Sequence, residues 1–192
     1  MSAAMKPRMD LEAFLEWESR QEFKYEFDGF QPVAMAGVSS EHAAIQANLM
    51  LAVGSRLRGG PCRIFGSDLK IAAAGSIRYP DAFVVCTPVP RGTLVVENPV
   101  VVFEILSPGT SYRDRIEKNR EYRATPSIQR YVILEQTRPA ATVFSRVGDE
   151  WVADIVIGET ELALPEVGLT IPLPELYEGV EPPPETEQAE AG

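Results

Sequence analysis

The segment Pro99 to Leu106, PVVVFEIL, constrains this chain more than any other stretch. Its apolar density is that of a strand covered on both faces, and Glu104 interrupts it with a carboxylate. Burying that group unpaired costs several kcal/mol or forces it to take up a proton, so a cation, a metal or a water-filled cleft belongs beside it. A strand-end ion pair with a basic residue is the plainer solution. After Ser107-Pro108-Gly109 a polar helix is expected from about Tyr112 to Ala124, and the Pro126 turn leads to a second apolar strand, Tyr131 to Leu134. Strand, helix and strand form a βαβ crossover, with the two strands parallel.

Around this unit, Asp10 is a suitable N-cap for a first helix ending near Glu22. KYEFDGFQPVAM reads as a β-hairpin about Asp28-Gly29, with Tyr25 and Phe27 on one face and Glu26 on the other. Ser39 or Ser40 caps a second helix, whose Ile45, Leu49, Ala52, Val53 and Leu57 recur at helical spacing until Gly59-Gly60. Strands are expected at Cys62 to Phe65, Asp68 to Ala72 and Tyr79 to Val85, and an antiparallel meander after Ala141, with a turn at Gly148-Asp149. The fold class is therefore α/β (α+β), a mixed central sheet flanked by helices.

At 192 residues the chain has room for one domain of ordinary size, roughly 100 to 200 residues. All 18 Lys and Arg lie at or before Arg146 against 16 Asp and Glu, a balance of +2, whereas the remainder holds 12 acids and no base. The net charge of −10 thus belongs to the C-terminal part, and residues 179–192, rich in Pro and Glu, read as a disordered tail behind a domain of residues 1–178. The apolar runs are too short for a membrane span, and the start lacks the apolar core of a secretory signal, so a cytoplasmic protein is expected. Two cysteines, Cys62 and Cys86, and one histidine, His42, exclude a four-ligand Cys/His zinc site in one chain. The cysteines read as small buried thiols.

Asp81, after Pro80 in YPDAFVV, begins another apolar strand. Alone it reads as a turn residue, but paired with Glu104 it makes an oxygen-only site suited to Mg²⁺ or Mn²⁺, which need no His or Cys. Glu26 is a third carboxylate. In the helix after Glu104, Asp114 and Lys118, like Arg113 and Glu117, stand four apart, the pattern of an exposed helix with ion pairs. His42, in the first turn of the second helix, suits a structural role more than contact with phosphate or metal.

These pieces, in this order, resemble the PD-(D/E)xK nuclease superfamily and, within it, the Uma-type (Uma-two) restriction endonuclease family. The matching segments are KYEFDG (24–29), MAGVSSEHAAIQANL (35–49), CRIFGSDLK (62–70), YPDAFVV (79–85), VVFEILSPGT (101–110), DRIEKNREYR (114–123) and SIQRYVILEQ (127–136). The resemblance implies a restriction-endonuclease-like core and a Mg²⁺- or Mn²⁺-dependent endonuclease acting on DNA. It implies that Asp81 and Glu104 bind the metal and that Glu26 completes the acidic cluster. The superfamily lysine is expected two residues after the second acid, where this chain has Leu106; the resemblance points instead to Lys118 on the following helix, with Lys70 as the second candidate. Cutting both strands of a duplex favours a homodimer of two-fold symmetry.

Three other functions use the same residues: an inactive nucleic-acid or protein interaction module of the same fold, a hydrolase of small nucleotides, and a paired-carboxylate glycosidase. The basic helix after Glu104 and the lack of an aromatic-rich cleft segment make the glycosidase the weakest.

Overall fold

The computed structural model describes residues 9–35, 37–107 and 112–181. Its centre is a six-stranded sheet built on the doubly covered strands. In chain order the elements are α1 (Leu11–Glu18), β1 (Tyr25–Phe27), β2 (Pro32–Ala34), α2 (Ser40–Leu57), β3 (Arg63–Gly66), β4 (Lys70–Ala73), β5 (Ser76–Arg78), β6 (Ala82–Val85), β7 (Val95–Val96) and β8 (Val101–Ile105). A π-helical turn, Arg113–Lys118, runs into α3 (Asn119–Ala124), followed by β9 (Arg130–Leu134), β10 (Ala140–Val147), β11 (Glu150–Ile157), β12 (Glu161–Leu164) and β13 (Leu169–Pro172).

The six strands lie in the order β11-β10-β9-β8-β6-β3, and β8 and β9 are parallel, as a crossover through a helix requires. Every residue of both strands is buried. Ala82, Val84, Val101, Phe103, Ile105, Val132 and Leu134 face α2 and the last strands. Phe83, Val85, Val102, Tyr131 and Ile133 face the other way, against Tyr122 of α3 and Ile71 and Ala73 of a second sheet. Each fully buried Val, Ile or Phe contributes about 1.5 to 3 kcal/mol from removal of apolar surface from water. By the alternation of strand side chains, Glu104 and Asp81 share the side of Val102 and Phe83.

The second sheet, β2-β1-β5-β4-β7, holds strands that composition did not reveal, β5 and β7. Tyr79 to Val85 is not one strand: β5 ends at Arg78, β6 begins at Ala82, and the chain changes sheet between them. Pro80 has no N–H to give a ladder and fixes its own φ, which makes it a natural crossing point. Arg78 thereby closes one sheet and Asp81 opens the way into the other. The first helix stops at Glu18 instead of Glu22, with Asp10 accepting from the Ala13 N–H, and Ser39 caps α2 through the His42 N–H.

The cysteines are not free thiols. The antiparallel register that sets Arg63 against Val85 makes Cys62 and Cys86 neighbours across β3 and β6, and they form a disulfide. The bridge spans a sequence separation of 24, which in the loop-entropy account stabilises the fold by about 3 kcal/mol. Cys62→Ser should lower the unfolding free energy by that order when urea titrations of the variant and of the oxidised wild type are compared. A loss below about 0.5 kcal/mol would show that the bridge adds nothing to an already rigid sheet edge.

Packing against the core continues to Val180, just past the expected end of the domain at 178. Residues 182–192, the rest of the expected tail, lie outside the described residues, as do Pro108 and Gly109.

Candidate active site

The register that pairs Ala82 with Phe103 sets Asp81 opposite Glu104, one step further along the antiparallel β6–β8 pair. Like charges directly across two strands repel, so such a pair requires compensation. For Asp81, compensation is by hydrogen bonds. Its Oδ2 accepts from the Ile105 N–H at 2.7 Å and lies 3.2 Å from His42 Nε2. Gln46, one turn after His42 on α2, donates Nε2 to the Asp81 backbone oxygen at 2.7 Å and to Ser67 Oγ at 3.1 Å. The capped end of α2 thus holds Asp81 with two side chains from one helix face.

Glu104 is 3% exposed. Its Oε1 accepts from Lys118 Nζ and from the Tyr122 hydroxyl, both at 2.8 Å. Burial pushes the Glu104 carboxyl well above its usual value, against the pull of Lys118, and the nearby Asp114, Asp81 and Glu26 push it further.

Lys118 is enclosed as well, 2.8 Å from Glu104, 3.3 Å from Glu26 Oε1 and 3.2 Å from Asp114 Oδ1. Burial would drain the charge from this ammonium, but Glu104, Glu26 and Asp114 outweigh burial and hold its pKa well above the usual value. The Asp114 contact is an ion pair without hydrogen-bond geometry. The helix that carries these groups was expected at the surface, yet Asp114 and Lys118 are buried. The hydrogen bond from Tyr131 Oη to the Asp114 backbone oxygen, at 2.9 Å, anchors the π-helical turn to β9. Such turns are rare and concentrate at functional sites.

Glu26, expected on the face of its hairpin away from Tyr25 and Phe27, is buried rather than solvent-facing, because the second sheet packs on the first. Its Oε1 accepts from the Tyr79 N–H at 3.1 Å and its Oε2 from Arg78 Nη1 at 3.1 Å. Burial opposes its charge, but Lys118, Arg78 and that N–H prevail and hold its carboxyl below the ordinary range. Arg78, wholly enclosed, makes a bidentate pair with Glu121, both N–O distances 2.7 Å.

The structure therefore brings Glu26, Glu104 and Lys118 into direct contact, with Asp81 across the strand pair from Glu104. It does not bring Lys70 there. Lys70 pairs with Glu18 of α1, 2.5 Å away, and Glu18 also accepts from the Tyr79 hydroxyl at 2.7 Å. Arg78, Glu121 and Tyr122 escaped the sequence reading, and Asp114 entered it only as a surface partner of Lys118. A signal was present: positions 114, 118, 121 and 122 recur at helical spacing and include a large aromatic, which marks an inward face.

Among the described residues, no three His, Cys, Asp or Glu side chains converge as a metal site. Asp81 and Glu104, opposite each other in the strand register, could supply oxygen donors to a hard cation, which takes one or two carboxylates and completes its shell with water and phosphate. Glu26, with both oxygens engaged by N–H groups and cations, fits that role less well. Five enclosed or nearly enclosed acids, Glu26, Asp81, Glu104, Asp114 and Glu121, face two permanent cations, Arg78 and Lys118.

The family model described as Uma2, putative restriction endonuclease, matches residues 11–174. The chain is 33% identical over 178 residues to the uncharacterized protein slr1290 of Synechocystis sp. (strain ATCC 27184 / PCC 6803 / Kazusa), a match covering 91% of this chain and 94% of that one. A second uncharacterized protein of the same organism, sll1609, is 29% identical over 153 residues, covering 76% and 86%. A crystal structure of a putative nuclease belonging to DUF820, from Anabaena variabilis ATCC 29413, shares the fold. Its TM-score is 0.74 at 17% identity, over 88% of this chain and 98% of that chain.

Proposed function

The chain belongs to the Uma2 family, described as putative restriction endonucleases, and from that premise we propose that it is a Mg²⁺- or Mn²⁺-dependent endonuclease hydrolysing phosphodiester bonds of DNA. The observation that carries the reading is the excess of enclosed acid over enclosed base around Glu104. With all five acids ionised, and even with His42 counted as a cation, two negative charges would remain; one divalent ion would balance them and hold Glu104 in its charged form.

Asp81 and Glu104 are the ligands in this reading. Mg²⁺ or Mn²⁺, when bound, supplies Lewis-acid activation of water and neutralises phosphate charge. His42 and Gln46 keep the Asp81 carboxylate and its backbone aimed at the site. Lys118 orients the attacking water and faces the charge that grows on phosphorus-bound oxygen as the bond to the leaving 3′ oxygen breaks, a contribution of about 10² to 10³ in rate. Glu26 holds the lysine. On the outward side of the same helical segment, exposed Arg115, Arg120 and Arg123 offer a polyanion favourable charge. Cytoplasmic residence belongs to this proposal; among the described residues no helix is long and apolar enough to cross a membrane.

The test is incubation of the purified protein with supercoiled plasmid and with short single strands in Mg²⁺, Mn²⁺ or EDTA. Nicked or linear plasmid with metal, and none with EDTA, is expected. Intact DNA under every condition would sink the reading. The alternative, an interaction module of the same fold, draws on the direct ion pair of Lys118 with Glu104, in which a lysine supplies the counter-charge to the carboxylate. Calorimetry separates the two, since a module whose lysine replaces the ion gives no Mn²⁺ binding heat.

A further inference from the structure

We propose that Arg78, with Glu121, is a positioning residue for Lys118: by holding Glu26 it sets where the lysine ammonium stands against Glu104. This rests on the nuclease reading above, in which that ammonium is catalytic.

Extending the β1–β5 register, in which Phe27 opposes Ile77, puts Glu26 directly opposite Arg78. One guanidinium nitrogen reaches across the strands to Glu26 Oε2, 3.1 Å away. The other two grip Glu121, three residues beyond Lys118 in the chain. The guanidinium is a rigid planar fork, so these bonds fix sheet and helix relative to each other in distance and in angle. Glu26 is thereby shared. Its Oε2 is spoken for by Arg78, while its Oε1 stands 3.3 Å from Lys118, longer than the 2.8 Å from Lys118 to Glu104. Without Arg78, Glu26 would have one cation left to turn to, and it would compete with Glu104 for the lysine. A displacement of about 1 Å at a reacting group can cost on the order of 10² in rate.

A buried ion pair can also be mere scaffolding, and the test must tell the two apart. Arg78→Met alone would leave Glu26 and Glu121 short of a partner and could unfold the protein. The informative variant is Arg78→Met/Glu121→Leu, because replacing a buried ion pair whole by apolar groups of similar size is often neutral for stability. Arg78→Lys, which keeps the charge and loses the fork, is the second. For plasmid nicking with Mn²⁺, both variants should lose at least tenfold in kcat, with KM and Mn²⁺ affinity within twofold of wild type. Both should also move the ¹⁵N-ammonium resonance of Lys118, assigned by its disappearance in Lys118→Met. If the folded double variant keeps wild-type kcat and an unshifted Lys118 resonance, the pair is scaffolding and the proposal falls. It falls equally if Arg78→Lys matches wild type in both. Should the wild type cut no DNA with any metal, the nuclease reading fails instead, and the resonance alone then decides whether Arg78 positions the lysine.

Discussion

Lys118→Met is expected to lower DNA cleavage by two to three orders of magnitude while Mn²⁺ still binds. In the proposed mechanism the lysine acts on charge that develops in the transition state, so its loss should appear in kcat and kcat/KM alike. Its burial adds a second effect that a surface lysine would not show. Removing the ammonium leaves Glu104, Glu26 and Asp114 facing one another, and breaking a buried pair by deleting one partner typically costs about 3 to 5 kcal/mol. Turnover should therefore be measured with saturating Mn²⁺, which at the proposed site would restore positive charge beside Glu104, and folding followed by circular dichroism in the same buffer. Lys70→Met should weaken the anchoring of α1 through Glu18 and leave kcat nearly unchanged. If Lys118→Met cuts at the wild-type rate while Lys70→Met is inactive, the catalytic cation is on β4.

Glu104→Gln should do two opposite things: stabilise the metal-free protein and remove its response to metal. The folded-state pKa of Glu104 lies above the ordinary carboxyl value of 4.5 because burial disfavours the charge. The folded state then binds the proton more tightly than the unfolded chain, so metal-free stability falls as pH rises from the unfolded value toward the folded one. Glutamine carries no such charge. Its oxygen can still accept from Tyr122 and Lys118, and Lys118 keeps Glu26 and Asp114 as counter-charges. In the wild type, Mn²⁺ at about 100 times its Kd should add about 2.7 kcal/mol, or roughly 5 to 10 °C in Tm for a chain of this size. Differential scanning calorimetry should show that shift in wild type, and none in Glu104→Gln or Asp81→Asn. An undiminished shift in either variant would move the metal away from this pair.

The strands around Glu104 were legible because burial on both faces leaves an unbroken apolar run, and a carboxylate inside it stands out. Asp81 stood out at the head of an apolar run, and the parallel pairing of β8 with β9 followed from the helix between them. Glu26 and Arg78 were less legible for one reason. β1 and β5 are three residues long, too short for alternation to declare an inward face, and their burial comes from a second sheet laid over the first. Lys118 was singled out by likeness to a family, while its burial was missed because Asp114 and Lys118 at i, i+4 look the same on a surface helix as on a submerged one. The disulfide depended on a cross-strand register that spacing along the chain does not reveal.

The placement of Glu104 and Lys118 on one βαβ crossover also bears on the order in which the protein assembles. Their contact spans 14 residues, and that of Glu104 with Tyr122 spans 18, whereas Arg78 reaches 43 residues to Glu121 and 52 to Glu26. Chain closure becomes harder by about 0.6 kcal/mol for each doubling of length, so the crossover contacts are the easier to form by roughly 1 kcal/mol. On that account the lysine meets its first carboxylate within a folding nucleus of local contacts, and the hairpin that delivers Glu26 arrives on a nearly finished surface. Amide protection in refolding would then appear first in β8 and β9 and last in β1.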